Sequence, residues 1–219
     1  METDQAPSGM AVPAFNNNRE AGMWRVLLIL GFAFVFSHSR LFGQYGPQVR
    51  ITSGGMQSSG VAISETEVLT VGHAFTDGSH VRLEFVGVEH NVIVPGYVVV
   101  TDHDRDLGLI RHKLKNVAWL KRQRAKGKSL QIKGFHGLDE PMRVMRGEVI
   151  ASGAAGSNGE PLLVVDCEAV PGLSGSGVIE GVDDEEFVVG IQSAGSKQTY
   201  CATFDQIEVF LSSNRHQSK

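Results

Sequence analysis

The sequence predicts an all-β protein, and three observations point to that class. Glycine is the main compositional deviation, because 26 of the 219 residues are Gly, roughly 12% against a background of about 7%. With 7 Pro and no Gly-X-Y period, this excess indicates many tight turns. Beyond residue 49, short runs of alternating or β-branched residues are separated by Gly, Asp and Asn clusters with no helical pattern between them. That pattern argues against a parallel α/β sheet.

Residues 1–39 are expected to form a leader that precedes the fold. Residues 1–22 are polar and lack a period, whereas residues 26–36 (VLLILGFAFVF) are uncharged and nearly all apolar. This run is too short for a comfortable membrane span of about 20 residues, and after Arg25 it fits the apolar region of a secretory signal peptide. We therefore expect a secreted or periplasmic protein. The alternatives are a membrane anchor formed by residues 24–36 and a buried core helix.

The chain after the leader is predicted to form two β units joined by a basic linker. The first unit covers residues 40–115, the linker 116–126, and the second unit 127–212, followed by a tail at 213–219. A composition shift marks the boundary, because residues 113–128 (KLKNVAWLKRQRAKGK) are basic and contain few strand formers. Strands are predicted at 61–63, 68–71, 81–86, 92–94, 97–100, 107–110, 130–132, 162–165, 177–179 and 187–191.

A short C-terminal helix is predicted after the last strands. Ile207, Phe210 and Leu211 recur at helical spacing, and Asp205 precedes them as a cap. The helix would pack its apolar residues on the second β unit.

Composition also excludes several function classes. The net charge of −4 argues against a nucleic-acid binder that works by bulk electrostatics. Two Cys cannot build a four-thiolate zinc site, and the histidines show no metal-ligand spacing. The alternation of Asp102, Asp104 and Asp106 resembles a calcium loop, but Lys113 stands where the bidentate Glu would be needed. We therefore expect neither metal nor cofactor.

Three residues together carry the chemistry of acyl transfer. His73 follows a predicted strand, Asp106 precedes an apolar run, and Ser174 lies in the glycine-rich segment PGLSGSG. A Ser hydroxyl needs an imidazole to take its proton, and the imidazole needs a carboxylate to fix its tautomer. The surrounding glycines allow backbone N–H groups to converge on an oxyanion. Asp104 is a rival for the carboxylate, but Asp106 directly precedes the strand.

Five motifs in this order resemble those of the trypsin-like serine peptidases, especially the compact bacterial HtrA/Deg-type and glutamyl-endopeptidase-type members. The resemblance covers roughly residues 47–212. The matching segments are SGVAIS at 59–64, TVGHA at 70–74 for the family's T-A-A-H-C, DLGLI at 106–110 for D-I-A-L-L, PGLSGSG at 171–177 for P-G-N-S-G-S/G-P, and GIQSAG at 190–195 for G-I-x-S-x-G.

The resemblance implies a chymotrypsin-like fold of two six-stranded antiparallel β-barrels with the active site between them. Ser174 would be the nucleophile, His73 the general base and Asp106 the orienting carboxylate. The backbone N–H groups of Gly172 and Ser174 would form the oxyanion hole.

The same resemblance implies roles for residues around the nucleophile. Ser193, Ala194 and Gly195 would pair with the substrate backbone, and Glu168 would lie near the base of the pocket for the P1 side chain. Cys167 and Cys201 would lie on adjacent walls of that pocket, either as a disulfide or as two free thiols.

The function expected from the resemblance is that of a serine endopeptidase acting through an acyl-enzyme. Leu173 departs from the family pattern, which has Asp or Asn before the nucleophile. The alternative is therefore a catalytically impaired, peptide-binding homologue whose oxyanion hole Leu173 has collapsed. The expected partner is a polypeptide substrate, with no nucleic acid, with membrane contact only through an uncleaved leader, and with the protein a monomer.

Overall fold

The computed structural model describes residues 45–75, 80–155 and 159–215. The chain divides into two units, residues 1–41 and 42–219, and all of the described residues belong to the second unit. The predicted leader at 1–39 lies outside the described residues. Among the helices of the described ranges, none is both long and apolar enough to span a membrane.

The first barrel consists of six antiparallel strands. They are β1 (Tyr45–Ser53), β2 (Met56–Ala62), β3 (Glu67–Thr70), β4 (Val81–Gly87), β5 (Val92–Asp102) and β6 (Leu107–Arg111). The spatial order is β1-β2-β3-β6-β5-β4, and pairing of β4 with β1 closes the barrel. Alternation along β4 shows why this strand forms, because Val81, Leu83 and Phe85 point into the core while Arg82 is exposed.

The second barrel also has six antiparallel strands. They are β8 (Ser129–Phe135), β9 (Met142–Ala155), β10 (Pro161–Val165), β11 (Gly177–Val182), β12 (Glu185–Gly195) and β13 (Thr199–Thr203). Pairing of β11 with β12 closes this barrel, whose core includes Leu130, Ile132 and Val178. The predicted pair of six-stranded barrels is confirmed.

The linker and the C-terminus contain more regular structure than the sequence suggested. Two linker residues form β7 (Lys121–Arg122), which adds to β12 as a parallel strand. The predicted helix forms as α1 (Phe204–Arg215), so it extends into the segment expected to be a tail. The strand β9 was also missed, because apolar residues such as Val144 and Ile150 lie on its exposed face and weaken the pattern.

A shared hydrophobic core holds the two barrels together. Leu69 and Leu107 from the first barrel pack in one buried cluster with Ile179 and Ile191 from the second, and Phe210 of α1 joins it. Apolar burial of this kind is the main favourable term in folding. It fixes the relative position of the first barrel's β3 and β6 and the second barrel's β11 and β12, the strands whose ends carry the candidate site.

Candidate active site

His73 and Asp106 form a close pair at the edge of the first barrel. His73 lies in the short 3₁₀ turn Gly72–Ala74 after β3, and Asp106 lies immediately before β6. The Nδ1 atom of His73 is 2.8 Å from Oδ2 and 2.9 Å from Oδ1 of Asp106. The backbone N–H of His73 also donates to Asp106 Oδ1 at 2.9 Å. This bonding holds the imidazole with Nδ1 toward the carboxylate and leaves Nε2 available as a base.

The carboxylate of Asp102, in the same loop, has other partners. Asp102 Oδ1 accepts the backbone N–H groups of Asp104 and Arg105 at 3.1 and 3.0 Å, which closes a local turn. Asp106 follows that turn with φ of 53°, a left-handed conformation that Asp tolerates better than most residues. The turn therefore presents Asp106 to the imidazole.

The electrostatics of the pair suit a general base. The hydrogen bond and charge of Asp106 raise the pKa of His73, with burial opposing them. Burial favours protonated Asp106, but hydrogen bonds from His73 and Ser193 outweigh it and hold the pKa of Asp106 below its ordinary value. Asp106 is thus an anion at neutral pH, and a proton taken up by His73 is stabilised.

Ser193 joins the first-barrel pair to the loop of the second barrel that carries Ser174. Its hydroxyl donates to Asp106 Oδ2, and its backbone carbonyl accepts the hydroxyl of Ser174 at 3.2 Å. A register shift between Gln192 and Ala194 in β12 places Ser193 at a bulge, which is a common device for aiming a side chain at a site. Sequence reasoning gave Ser193 a substrate-binding role and missed its bond to Asp106.

The loop that carries Ser174 is two consecutive tight turns. The first is closed by the Leu173 N–H donating to Val170 O at 3.2 Å, and the second by the Ser176 N–H donating to Leu173 O at 2.9 Å. Gly172 and Gly175 occupy the third position of these turns with φ of 86° and 88°. A positive φ at this position is the signature of a type II turn and explains the two glycines.

The two turns leave the predicted oxyanion donors unoccupied. The N–H groups of Leu173, Gly175 and Ser176 are all bonded to backbone carbonyls. Among the described residues, no acceptor is bonded to the N–H of Gly172 or of Ser174. Leu173 itself is fully buried, so this departure from the family motif fills part of the interior. The hydroxyl of Ser174 donates to Ser193, and within the described chain it makes no hydrogen bond to His73.

The remaining predicted site residues lie beside this loop. The backbone N–H of Ala169 donates to Ser196 O at 2.9 Å, so the segments before Ser174 and after β12 run side by side. The side chain of Glu168, in the segment before Ser174, is exposed, and Ala194 and Gly195 are also exposed.

Both cysteines are free thiols in the structure, which is one of the two states that the sequence left open. Cys201 is buried in the second barrel's core, and this burial raises its pKa far above the usual range. The Cys167 thiol instead donates to Thr199 Oγ1 at 3.4 Å. Among the described residues, no cluster of His, Cys, Asp and Glu has the arrangement of a metal site.

A substitution at Gly175 tests whether the second turn is required for the stability of the fold. A Cβ at this position would lie 2.0 Å from Ser59 O and 2.3 Å from Thr70 Oγ1, and φ there is positive. We expect Gly175→Ala to lower the free energy of unfolding by about 1–3 kcal/mol from backbone strain, with the clash adding to it. Urea denaturation measures this. Gly181→Ala is the matched control, because a Cβ there would have no heavy atom within 4 Å; equal losses in both variants would contradict the packing described.

Comparisons with known proteins show which family the chain resembles. The family model described as a trypsin-like peptidase domain matches residues 58–191, more than half of the chain. No curated protein sequence matches the chain significantly.

Solved structures resemble the chain in fold. A serine endoprotease from Yersinia pestis aligns with a TM-score of 0.63 and 17% identity over 78% of this chain and 64% of its own. The HtrA-type protease AlgW, solved with a tripeptide, aligns with a TM-score of 0.64 and 22% identity over 82% of this chain and 63% of its own. Deg5 gives 0.63 and 17% over 78% of this chain and 90% of its own. The chain thus spans less than two thirds of the first two proteins.

Proposed function

The chain belongs to the trypsin-like peptidase domain family, and from that premise we propose that it is a serine endopeptidase that acts through Ser174, His73 and Asp106. The observation that carries the proposal is the hydrogen-bond path from His73 through Asp106 and Ser193 to Ser174. This path brings a base, an anion and a hydroxyl from three distant parts of the chain into one site. Such a grouping is what nucleophilic acyl transfer requires.

The first step forms the acyl-enzyme. On substrate binding the Ser174 hydroxyl leaves Ser193 O and gives its proton to His73 Nε2 while Oγ attacks the peptide carbonyl carbon. The carbonyl π electrons move to oxygen, and the resulting oxyanion accepts hydrogen bonds from the free N–H groups of Gly172 and Ser174. The tetrahedral intermediate then expels the amine, which takes its proton from His73, and Ser174 retains the acyl group as an ester.

The second step hydrolyses the acyl-enzyme and regenerates the free enzyme. Water gives a proton to His73 Nε2 and attacks the ester carbonyl, and the intermediate expels Ser174 Oγ, which takes that proton back. Asp106 remains an anion throughout, because its role is to hold the tautomer and stabilise the imidazolium. One peptide bond and one water are thereby converted to a carboxylic acid and an amine.

The free edge of β12 fits an extended polypeptide as the substrate. Ala194 and Gly195 pair with Tyr200 and Thr199 of β13 on one side. On the other side β11 pairs only as far as Ile191, so within the described chain residues 193–195 have no strand beside them. Backbone groups at such an edge can pair with a peptide strand, with side-chain pockets supplying specificity.

The proposal is tested by digestion of unfolded casein. We expect internal cleavage by the purified protein, unchanged by EDTA and blocked by prior treatment with diisopropyl fluorophosphate. Stoichiometric casein binding without cleavage would contradict the proposal and support the peptide-binding alternative. The free N–H groups of Gly172 and Ser174 and the burial of Leu173 weigh against that alternative.

Export is proposed on the sequence of the leader. An apolar run of signal-peptide length at 26–36 follows Arg25. Cell fractionation with N-terminal sequencing of the mature protein would check this, and a full-length protein in the cytoplasm would contradict it.

A further inference from the structure

The connection between β8 and β9 contacts the loop that carries Ser174 through a side chain that the proposed mechanism does not use. His136, the first residue after β8, has its Nδ1 atom 2.6 Å from the backbone carbonyl oxygen of Pro171. A carbonyl oxygen only accepts hydrogen bonds, so Nδ1 is the donor and carries the proton. This hydrogen bond from His136 therefore holds the Pro171 carbonyl next to the proposed oxyanion hole.

That carbonyl belongs to the same peptide unit as a proposed oxyanion donor. Pro171 C=O and Gly172 N–H lie in one plane and, in a trans peptide, point in opposite directions. There are no cis peptide bonds in the described chain. Holding Pro171 O on His136 therefore aims the Gly172 N–H at the opposite side, where it has no acceptor within the described residues.

Local sequence alone does not select this orientation. The turn Val170–Leu173 has Pro171 at its second position and Gly172 at its third with φ of 86°. Type I and type II turns differ mainly by rotation of the middle peptide, with φ of the third residue changing from about −90° to about +80°. Glycine accepts both signs, and Pro at the second position suits both types. A flipped peptide would put Pro171 O where the N–H now points.

We propose that His136 is a positioning residue that holds the Pro171–Gly172 peptide in the orientation that exposes the Gly172 N–H to the reacting carbonyl. The effect on catalysis rests on the proposed function, whereas the effect on the peptide's orientation does not. In the flipped turn, a carbonyl oxygen would face the developing oxyanion and repel it.

Residues of the first barrel hold the connection before and after His136. Arg50 of β1 lies over the ring of Phe135 at 4.7 Å and donates to Glu140 O at 2.5 Å, so it grips both ends of the connection. Ser59 of β2 accepts the Phe135 N–H at 2.8 Å and donates to Gly172 O at 3.1 Å. Both carbonyls that flank Gly172 are therefore held, one by His136 and one by Ser59.

Close packing also ties the two segments together. A Cβ on Gly172 would lie 2.6 Å from His136 O, so the turn and the connection are in backbone contact. The backbone of His136 therefore cannot withdraw from the turn without breaking this contact.

The test compares His136→Ala with His136→Asn, whose side-chain amide can donate from nearly the same place as Nδ1. Asp139→Ala, at an exposed residue of the same connection, is the matched control. We expect His136→Ala to lower kcat by about 10²–10³-fold, the effect of losing one oxyanion donor, with KM changed only a few-fold. His136→Asn should regain most of kcat, and Asp139→Ala should match the wild type. An unchanged kcat, or a loss that Asn does not restore, would overturn the proposal.

A crystal structure of His136→Ala separates this inference from the proposed function. We expect the Pro171–Gly172 peptide to be flipped or present in both orientations, even if the protein proves to have no peptidase activity. A peptide that keeps the present orientation would refute the role of His136. Should His136→Ala fail to fold, His136→Phe retains the ring without the donor and should give the same flip and the same loss of kcat.

Discussion

Replacing Ser174 by alanine is expected to lower kcat/KM on a peptide substrate by about 10⁶-fold, because the variant has no group that can form the acyl-enzyme. His73→Ala should lose a similar factor, since the hydroxyl then has no base. The double variant should lose no more than either single variant, because the two residues act as one unit. The measurement is steady-state hydrolysis of a fluorogenic peptide at fixed pH.

The control for the serine variant is Ser212→Ala, at an exposed hydroxyl of α1 that donates to Val209 O. It should retain wild-type activity. If Ser174→Ala kept more than a few per cent of the wild-type rate in a folded protein, Ser174 would not be the nucleophile.

The second large effect is expected for Asp106→Asn, at about 10⁴-fold in kcat/KM. An amide can donate to His73 Nδ1 and so stabilise the tautomer that carries its proton on Nε2, which cannot act as the base. Asp104→Asn is the matched control in the same loop, and it should stay within a few-fold of the wild type. A larger loss for Asp104→Asn than for Asp106→Asn would show that the rival carboxylate is the functional one.

The pH dependence of kcat/KM in the wild type and in Asp106→Asn gives an independent check on the role of Asp106. His73 must be neutral to act as a base, and the hydrogen bond and charge of Asp106 raise the pKa of His73 above the ordinary value of a histidine. Wild-type kcat/KM should therefore rise with pH through a midpoint above that value. In Asp106→Asn the raising contributions are lost and burial, which lowers the pKa of His73, remains. The midpoint of the residual activity should then move to lower pH, and a shift to higher pH would contradict the electrostatic account.

Local motifs in the sequence pointed to the residues of the candidate site. His73, Asp106 and Ser174 each stand at a strand end with recognisable neighbours, and glycines at 172 and 175 mark turns that need positive φ. The strands were predictable because alternation in strands such as β4 reports directly on which side faces a core. Their closure into two barrels was expected from the family resemblance and not from alternation.

The contacts between distant segments could not be predicted in the same way. The bond from Ser193 to Asp106 depends on a bulge in β12, and the bond from His136 to Pro171 depends on how two turns meet. Neither leaves a periodic or compositional signal. The resemblance implied that Glu168 lies near the base of the pocket for the P1 side chain, and in the structure its side chain is exposed.

The most direct test of the central claim is to map the covalent adduct of a fluorophosphonate probe. The wild-type protein should gain one adduct, and peptide mapping should locate it on Ser174. Labelling should be absent in Ser174→Ala and strongly slowed in His73→Ala. Efficient labelling of folded Ser174→Ala, or no labelling of the folded wild-type protein, would contradict the assignment of a serine peptidase site to these residues.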